Sequence, residues 1–320
     1  MILLWGVPGD DPLDCVRAAL ERTGADVRLL DQRGSAEMRV ELTVGDDGDL
    51  CGTIRDSVGE IDLSCVGAAY VRPLDTTQAC GAESAMDPAF ARAMTTDAAL
   101  IAWADLSNAY VVNRPQAMAA NNSKPYQLAQ IAGFGFAVPD TIVTTDDEAV
   151  RCFRARHGKV IYKSVSGVRS IVSQLAEDEL ADVANCPTQF QEYVPGVDVR
   201  VHVVGDELLS VRIVCAADDY RYAARSGCEV AMEPVDLPAD VAERCRAMAA
   251  GMELHLAGID LRHAPSGEWY CLEVNPSPGF TYFEAITGQP ISAAVGELLV
   301  RYASTDPFAV AGARHVFRIV

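Results

Sequence analysis

Five segments rich in β-forming residues, 159–164, 170–175, 188–193, 197–204 and 207–214, follow one another mostly without a long helix between them. Parallel neighbours need a crossover of a dozen or more residues, usually helical, so strands spaced this closely favour antiparallel pairing. A helical stretch at about 238–254 interrupts the series. Two further strand candidates, 256–261 and 269–274, lead into Asn275-Pro276-Ser277-Pro278-Gly279 and a closing helix over 291–302.

The first 112 residues have a different texture. Strand-like runs at 2–5, 27–30 and 66–71 alternate with a helix over 12–22, the pattern of a small α/β unit. Val40, Leu42 and Val44 alternate with polar residues, and Asp46-Asp47-Gly48 and a second run at 50–54 complete a hairpin. The stretch 88–108 is apolar at helical spacing and is expected to pack on that sheet. Beyond Asn113-Arg114-Pro115, the sequence Asn121-Asn122-Ser123 reads as a helix cap before a helix that ends near Gly133. A boundary is therefore placed near 112. The whole length of 320 residues fits two or three units of about 100–150 residues each.

Charge and cysteines exclude several functions. A net charge of -19 opposes binding to nucleic acid or anionic lipid, which needs clustered Lys and Arg, so any anion must bind locally. The ten cysteines show neither a Cys-x-x-Cys pair nor zinc-ligand spacing, as expected of thiols in a reducing cytosol. No stretch has the apolar length of a membrane helix, and the apolar opening residues lack the flanks of a targeting segment. The chain is expected to be soluble and cytoplasmic.

Three groups of residues carry potential chemistry. Gly258-Ile-Asp260 lies on one strand, and Cys271-Leu-Glu273-Val-Asn275 on the next. Residues two apart on a strand share a face, so Glu273 and Asn275 point the same way. An adjacent Asp260 completes a hard-oxygen cluster suited to Mg²⁺ holding nucleotide phosphates, the alternative being polar alternation on an edge strand. Lys163 ends an apolar strand before Ser164-Val-Ser-Gly167-Val-Arg-Ser170, a loop able to wrap phosphates, although an exposed lysine before a hairpin has the same pattern. Lys124 at a helix start opposes the helix dipole and needs an anionic partner or solvent.

The third group is Gln189-Phe-Gln-Glu192-Tyr193-Val194-Pro195-Gly196-Val-Asp198-Val-Arg200. Backbone groups at this break can pair with an adenine edge and Asp198 with ribose hydroxyls; a hairpin with an Asp198/Arg200 surface pair is the other reading. Asp219-Tyr-Arg221 and Arg225 lie in a later loop, where Arg225 can simply be solvated. None of the histidines 157, 202, 255, 263 and 315 stands out as a catalytic base, and His202 alone merits a test.

In order and spacing, the segments from about 113 to 303 resemble the ATP-grasp superfamily, and within it the RimK-type carboxylate–amine ligases. The resemblance rests on Ser-Lys124, Phe-Ala-Val-Pro139-Asp-Thr141, the Lys163 strand and loop, Gln-Glu192-Tyr193-Val194 with Asp198 and Arg200, Asp219-Tyr-Arg221, and Gly-Ile-Asp260 with Leu-Glu273-Val-Asn275-Pro-Ser-Pro-Gly279. It implies a mixed α+β class with an ATP-grasp fold. The expected division is a pre-ATP-grasp-like domain over 1–112, ATP-grasp subdomains over 113–187 and 188–303, and a tail over 304–320. It also implies that Lys124 and Lys163 contact ATP phosphates, Glu192 to Val194 form the adenine-side hinge, and Asp198 meets the ribose. Asp260, Glu273 and Asn275 then hold Mg²⁺, with Mn²⁺ as a substitute, and Arg221 approaches the transferring phosphoryl group. Here Arg221-Tyr-Ala223 departs from the Arg-x-Asn of the RimK-type pattern, which puts contacts of that loop in question.

The implied reaction activates a carboxylate as an acyl phosphate, which an amine of an amino acid or peptide attacks. Lys163 and Arg221 offset phosphoryl charge, and Arg221, then Arg200, are the candidate donors to the oxyanion. A peptide macrocyclase forming side-chain esters or amides fits the same pattern, and a nucleotide-binding protein without turnover is the alternative of another class. A dinucleotide enzyme is disfavoured because Gly6-Val-Pro-Gly9 lacks the third glycine of that fingerprint and Pro8 removes an N–H. No nucleic acid or membrane partner is expected, and a homo-oligomer is left open.

Overall fold

The computed structural model describes residues 1–45, 48–80, 87–165, 173–174, 183–215 and 229–304. The chain begins with β1 (Ile2–Gly6), α1 (Asp11–Thr23), β2 (Val27–Asp31), β3 (Arg39–Val44), β4 (Leu50–Arg55), β5 (Glu60–Asp62), β6 (Ala68–Arg72), α2 (Thr76–Cys80), α3 (Pro88–Leu106) and β7 (Tyr110–Val112). It continues through α4 (Pro115–Met118), α5 (Lys124–Ala132), β8 (Thr141–Thr144), α6 (Asp147–His157), β9 (Val160–Ser164), β10 (Ser173–Gln174) and β11 (Thr188–Glu192). The last elements are β12 (Val197–Val204), β13 (Glu207–Cys215), β14 (Val230–Pro234), α7 (Ala239–Gly251), β15 (Leu256–His263), β16 (Trp269–Asn275), α8 (Thr281–Thr287) and α9 (Ile291–Ala303).

Two compact units result: one takes Met1–Ala117, Gly279–Thr281 and the chain from Pro290, the other Met118–Pro278 and Tyr282–Gln289. The first is built on a parallel sheet in the order β2-β1-β6-β7. All five residues of β1 are buried, as expected of a central parallel strand covered on both faces. Leu3 and Trp5 join Leu100 and Trp103 of α3 and Ile54 of β4 in one core cluster. The other face meets α1 and α9, which also pack on each other. The closing helix, continuous in sequence with the 188–303 segment, thus packs with the first unit. Asp10 caps α1 by accepting from the Leu13 N–H, and Gly24 ends it in the left-handed conformation at φ 71°. The expected hairpin forms with Val44 opposite Leu50, and β5 extends it to three strands.

The second unit holds two antiparallel sheets, β10-β9-β11-β8 and β14-β13-β12-β15-β16. The antiparallel expectation holds, with short links such as Gly205 and Asp206 between β12 and β13. The helix α6, not among the elements expected from the sequence, is marked by Asp146 at the N-cap and acidic residues in its first turn, and it buries Val150 and Phe153, three apart on one face. Ser123 stands at the N-cap position of α5, but its side chain makes no capping bond. Instead the Lys124 N–H donates to the Val165 carbonyl at 3.3 Å, which ties the start of α5 to the end of β9.

Candidate active site

On β12, Asp198, Arg200 and His202 alternate with Val199, Val201 and Val203, so the strand has one polar and one apolar face. The register with β15 sets Asp198 opposite Arg262, Arg200 opposite Asp260, and His202 opposite Gly258. Arg262 Nε donates to Asp198 Oδ1 at 2.8 Å, and Arg200 Nη1 donates to Asp260 Oδ1 at 2.7 Å. Asp198 and Arg200 share a face as the spacing requires, but each carries a cross-strand ion pair of opposite polarity.

Gly258 makes room for the second pair. A Cβ there would lie 2.6 Å from Cζ of Arg200 and 2.7 Å from Cβ of Pro278, so the guanidinium lies over bare backbone. Arg200 is also 5.6 Å from the Phe283 ring centre, and its Nε donates to Nε2 of His202 at 3.4 Å. Accepting at Nε2 requires a neutral imidazole with its proton on Nδ1. Burial, reinforced by the Arg200 charge, holds the pKa of His202 well below its ordinary value. A group so disposed is a structural acceptor.

The strand β16 completes the carboxylate face through a bulge. Leu261 pairs with Cys271 but Asp260 pairs with Glu273, so Leu272 has no partner across the strand. The extra residue changes which face the following side chains occupy. Cys271 and Val274 are fully buried, while Glu273 and Asn275 come to the side of Asp260 and Gly258, their register partners. Glu273 is half-buried, and its carboxylate has no hydrogen bond or ion pair among the described residues. Among the described residues Asp260 is held through Oδ1, and Asn275 Oδ1 accepts from the Ser277 N–H at 3.0 Å.

Two adjacent carboxylates, one without a cation, and a nearby amide oxygen suit a hard divalent ion that takes its remaining oxygens from phosphate or water. Among the described residues no cluster of three or more His, Cys, Asp or Glu is arranged for a metal. Any ion would be held by this mixed set.

The nucleotide-facing candidates belong to the other sheet. Gln189 of β11 is opposite Lys163 of β9, Gln191 opposite Ile161, and Glu192 opposite Val160. Lys163, Gln189 and Gln191 therefore share one face, whereas Tyr162 and Phe190 face α6 with Val150 and Phe153. Strand alternation puts Glu192 on that second face. Its Oε2 lies 3.2 Å from Nδ1 of His157, and its Oε1 accepts from the Asp140 N–H. The carboxylate points away from the face of Lys163, leaving only backbone at this position for a ligand there. The Glu192 and Tyr193 N–H groups already donate to the carbonyls of Asp140 and Lys159, whereas the Val194 N–H makes no hydrogen bond among the described residues. Val194 C=O accepts from Arg262 Nη1 at 3.0 Å, and Tyr193 carries Lys159 Nζ 3.6 Å above its ring.

Lys124 and Lys163 are both buried, 7% and 8% exposed. Gln189 is fully buried, with neither amide atom hydrogen-bonded among the described residues. Arg221, Asp219, Arg225 and the 166–172 part of the loop after Lys163 lie outside the described residues. Sequence reasoning missed Arg262, His157 and Gln189. Arg262 lies two residues beyond Asp260 and thus on its face, a signal that was available. The other two look like ordinary polar residues until the strands pair.

No helix among the described residues is long and apolar enough to cross a membrane. The RimK-like ATP-grasp domain pattern matches residues 124–299, more than half of the chain. Beta-citrylglutamate synthase B of Danio rerio is 26% identical over 208 residues, 59% of this chain and 50% of that protein. The ribosomal protein bS6–L-glutamate ligase of Shigella boydii serotype 4 is 27% identical, over 63% of this chain and 71% of the ligase. The chain spans about half the length of the first of these relatives. The ATP-grasp ligase PsnB, solved with a phosphomimetic variant of its minimal precursor, Mg and ADP, superposes with a TM-score of 0.78 at 27% identity, covering 95% of this chain and 98% of PsnB. With the paired carboxylates, the Lys163 strand and the antiparallel sheets all lying inside the matched residues, the chain belongs to the RimK-like ATP-grasp domain family.

Proposed function

We propose that this chain is an ATP-dependent ligase that activates a carboxylate as an acyl phosphate and joins it to an amine of an amino acid or peptide. The observation that carries the reading is the half-buried Glu273, whose carboxylate has no hydrogen bond or ion pair among the described residues and lies directly opposite Asp260. Arg200 already faces Asp260 from β12, and the carboxylate of Glu273 beside it remains open to a divalent ion. Bound Mg²⁺, or Mn²⁺ in its place, would neutralise charge on the phosphoryl oxygens.

The chain's own groups do the rest. Lys163 and Lys124 hold phosphate oxygens in the ground state, and the Val194 N–H pairs with the adenine edge. Asp198, fixed by Arg262, accepts from the ribose. Arg200 orients the Asp260 carboxylate through Oδ1, and serves as the second donor to the oxyanion. Arg221 is the first.

A second reading takes a side-chain hydroxyl or amine of a ribosomal precursor peptide as the nucleophile. It is supported by the likeness to PsnB, solved with a precursor, at 27% identity and a TM-score of 0.78.

The test is ADP release across amino acids, dipeptides and precursor peptides, with mass spectrometry of whichever mixture responds. Glu273→Gln and Asp260→Asn are expected to remove most turnover while keeping the fold, because a neutral amide binds a hard divalent ion poorly. Near-normal ADP release by both variants would displace the metal site. Loss of water within a single precursor peptide, with no residue added, selects the second reading.

A further inference from the structure

Along the edge of the five-stranded sheet, β16 has no further strand beside it among the described residues, and it is bulged at Leu272. A bulged edge has unpaired backbone groups on its outer side and tends to twist. Here that side is occupied. The Ala137 N–H donates to the Trp269 carbonyl at 3.3 Å, and the Cys271 N–H donates to the Ala137 carbonyl at 2.9 Å. Beyond the bulge, Gln127 of α5 takes the place of a strand: its Nε2 donates to the Val274 carbonyl at 2.6 Å, and its Oε1 accepts from the Val274 N–H at 3.0 Å. Gln127 is only 4% exposed, so both bonds form away from water, where losing one partner is most costly.

Val274 lies between Glu273 and Asn275. A two-point clasp on its peptide groups fixes the backbone from which both of those side chains project. Three residues before Gln127 on the same helix is Lys124, which an i, i+3 spacing puts on the same face. One turn of α5 therefore carries both a buried lysine and the clasp on the carboxylate strand.

We infer that Gln127 is a positioning residue that holds Glu273 and Asn275 at ion-binding geometry and ties them to the lysine of α5. The inference rests on the ligase reading above and assigns to it a residue that never touches nucleotide or metal. Outer-shell partners of this kind change metal affinity about 10–100-fold when removed.

The experiment measures Mn²⁺ binding to the ADP-bound protein by electron paramagnetic resonance, beside ADP affinity in the presence of a chelator. Gln127→Met, close in length but without hydrogen bonds, is expected to weaken Mn²⁺ at least about tenfold and to change metal-free ADP affinity by less than about twofold. Gln127→Glu retains the acceptor for the Val274 N–H and loses the donor, so its Mn²⁺ affinity is expected to fall between those of wild type and Gln127→Met. Hydrogen exchange of the wild-type protein supplies a reading that needs no variant: the Val274 amide, on the outer side of an edge strand, is expected to be protected. Wild-type Mn²⁺ affinity in Gln127→Met, or exchange of Val274 at the rate of an open edge, overturns the inference and leaves the ligase reading standing. If the wild-type protein with ADP binds no Mn²⁺, the metal reading itself fails and the inference with it. Should Gln127→Met not fold, the Glu variant and the exchange rate decide.

Discussion

His202 shows how one buried side chain links the site to pH. Its folded pKa lies well below the ordinary 6.5 because burial and Arg200 both oppose a second proton on the ring. A base with a lowered folded pKa binds protons more readily in the unfolded chain, so protonation favours unfolding. Its contribution is complete above about pH 6.5 and is lost as pH falls below that value, at up to about 1.4 kcal/mol per pH unit. Urea titrations between pH 5 and 8 are expected to show this slope in the wild-type protein and a flatter profile in His202→Gln. An unchanged slope in the variant would move the proton uptake elsewhere. The neighbouring Gly258 is legible in the sequence only as a small residue two before Asp260; that Arg200 needs the missing Cβ follows from the strand pairing alone.

Among the elements, the β12/β15 ladder carries the opposed pairs Asp198–Arg262 and Arg200–Asp260, with Arg262 also holding the Val194 carbonyl. Exposure of the Asp198 and Arg262 side chains, 22% and 12%, puts the first pair between a surface bridge and a buried one. A double-mutant cycle with Asp198→Asn and Arg262→Met is expected to give a coupling of about 1–3 kcal/mol, below the 3–5 of breaking a fully buried pair. A coupling near zero would make the ladder an accident of register. The alternation of β12 was readable as a polar face, but its partners were not, because period-two spacing defines a face without saying which strand lies beside it. The bulge at Leu272 was equally silent: Cys271-Leu-Glu273-Val-Asn275 is an ordinary alternating run, and only the pairing with β15 shows where the extra residue falls.

At the scale of the whole molecule, the proposed nucleotide binds groups drawn from two sheets of one unit, so it is expected to stabilise that unit as a whole. Mg-ATP at a hundred times its dissociation constant is expected to raise folding stability by about 2.7 kcal/mol, visible as a higher Tm, with a smaller shift from NAD. Equal shifts would remove the nucleotide assignment. By itself the sequence determined the antiparallel class of the second half, the α/β character of the first, the strands of the carboxylates and Lys163, and the family, because these depend on local period, link length and motif order. Tertiary structure alone decided which face each side chain uses, that Glu192 turns to His157 and away from Lys163, that Arg200 lies over Gly258, that Gln127 clasps Val274, and that α9 packs with the first unit. Each of these depends on contacts between residues far apart in the chain, and register and packing against another segment leave no periodic mark on either one.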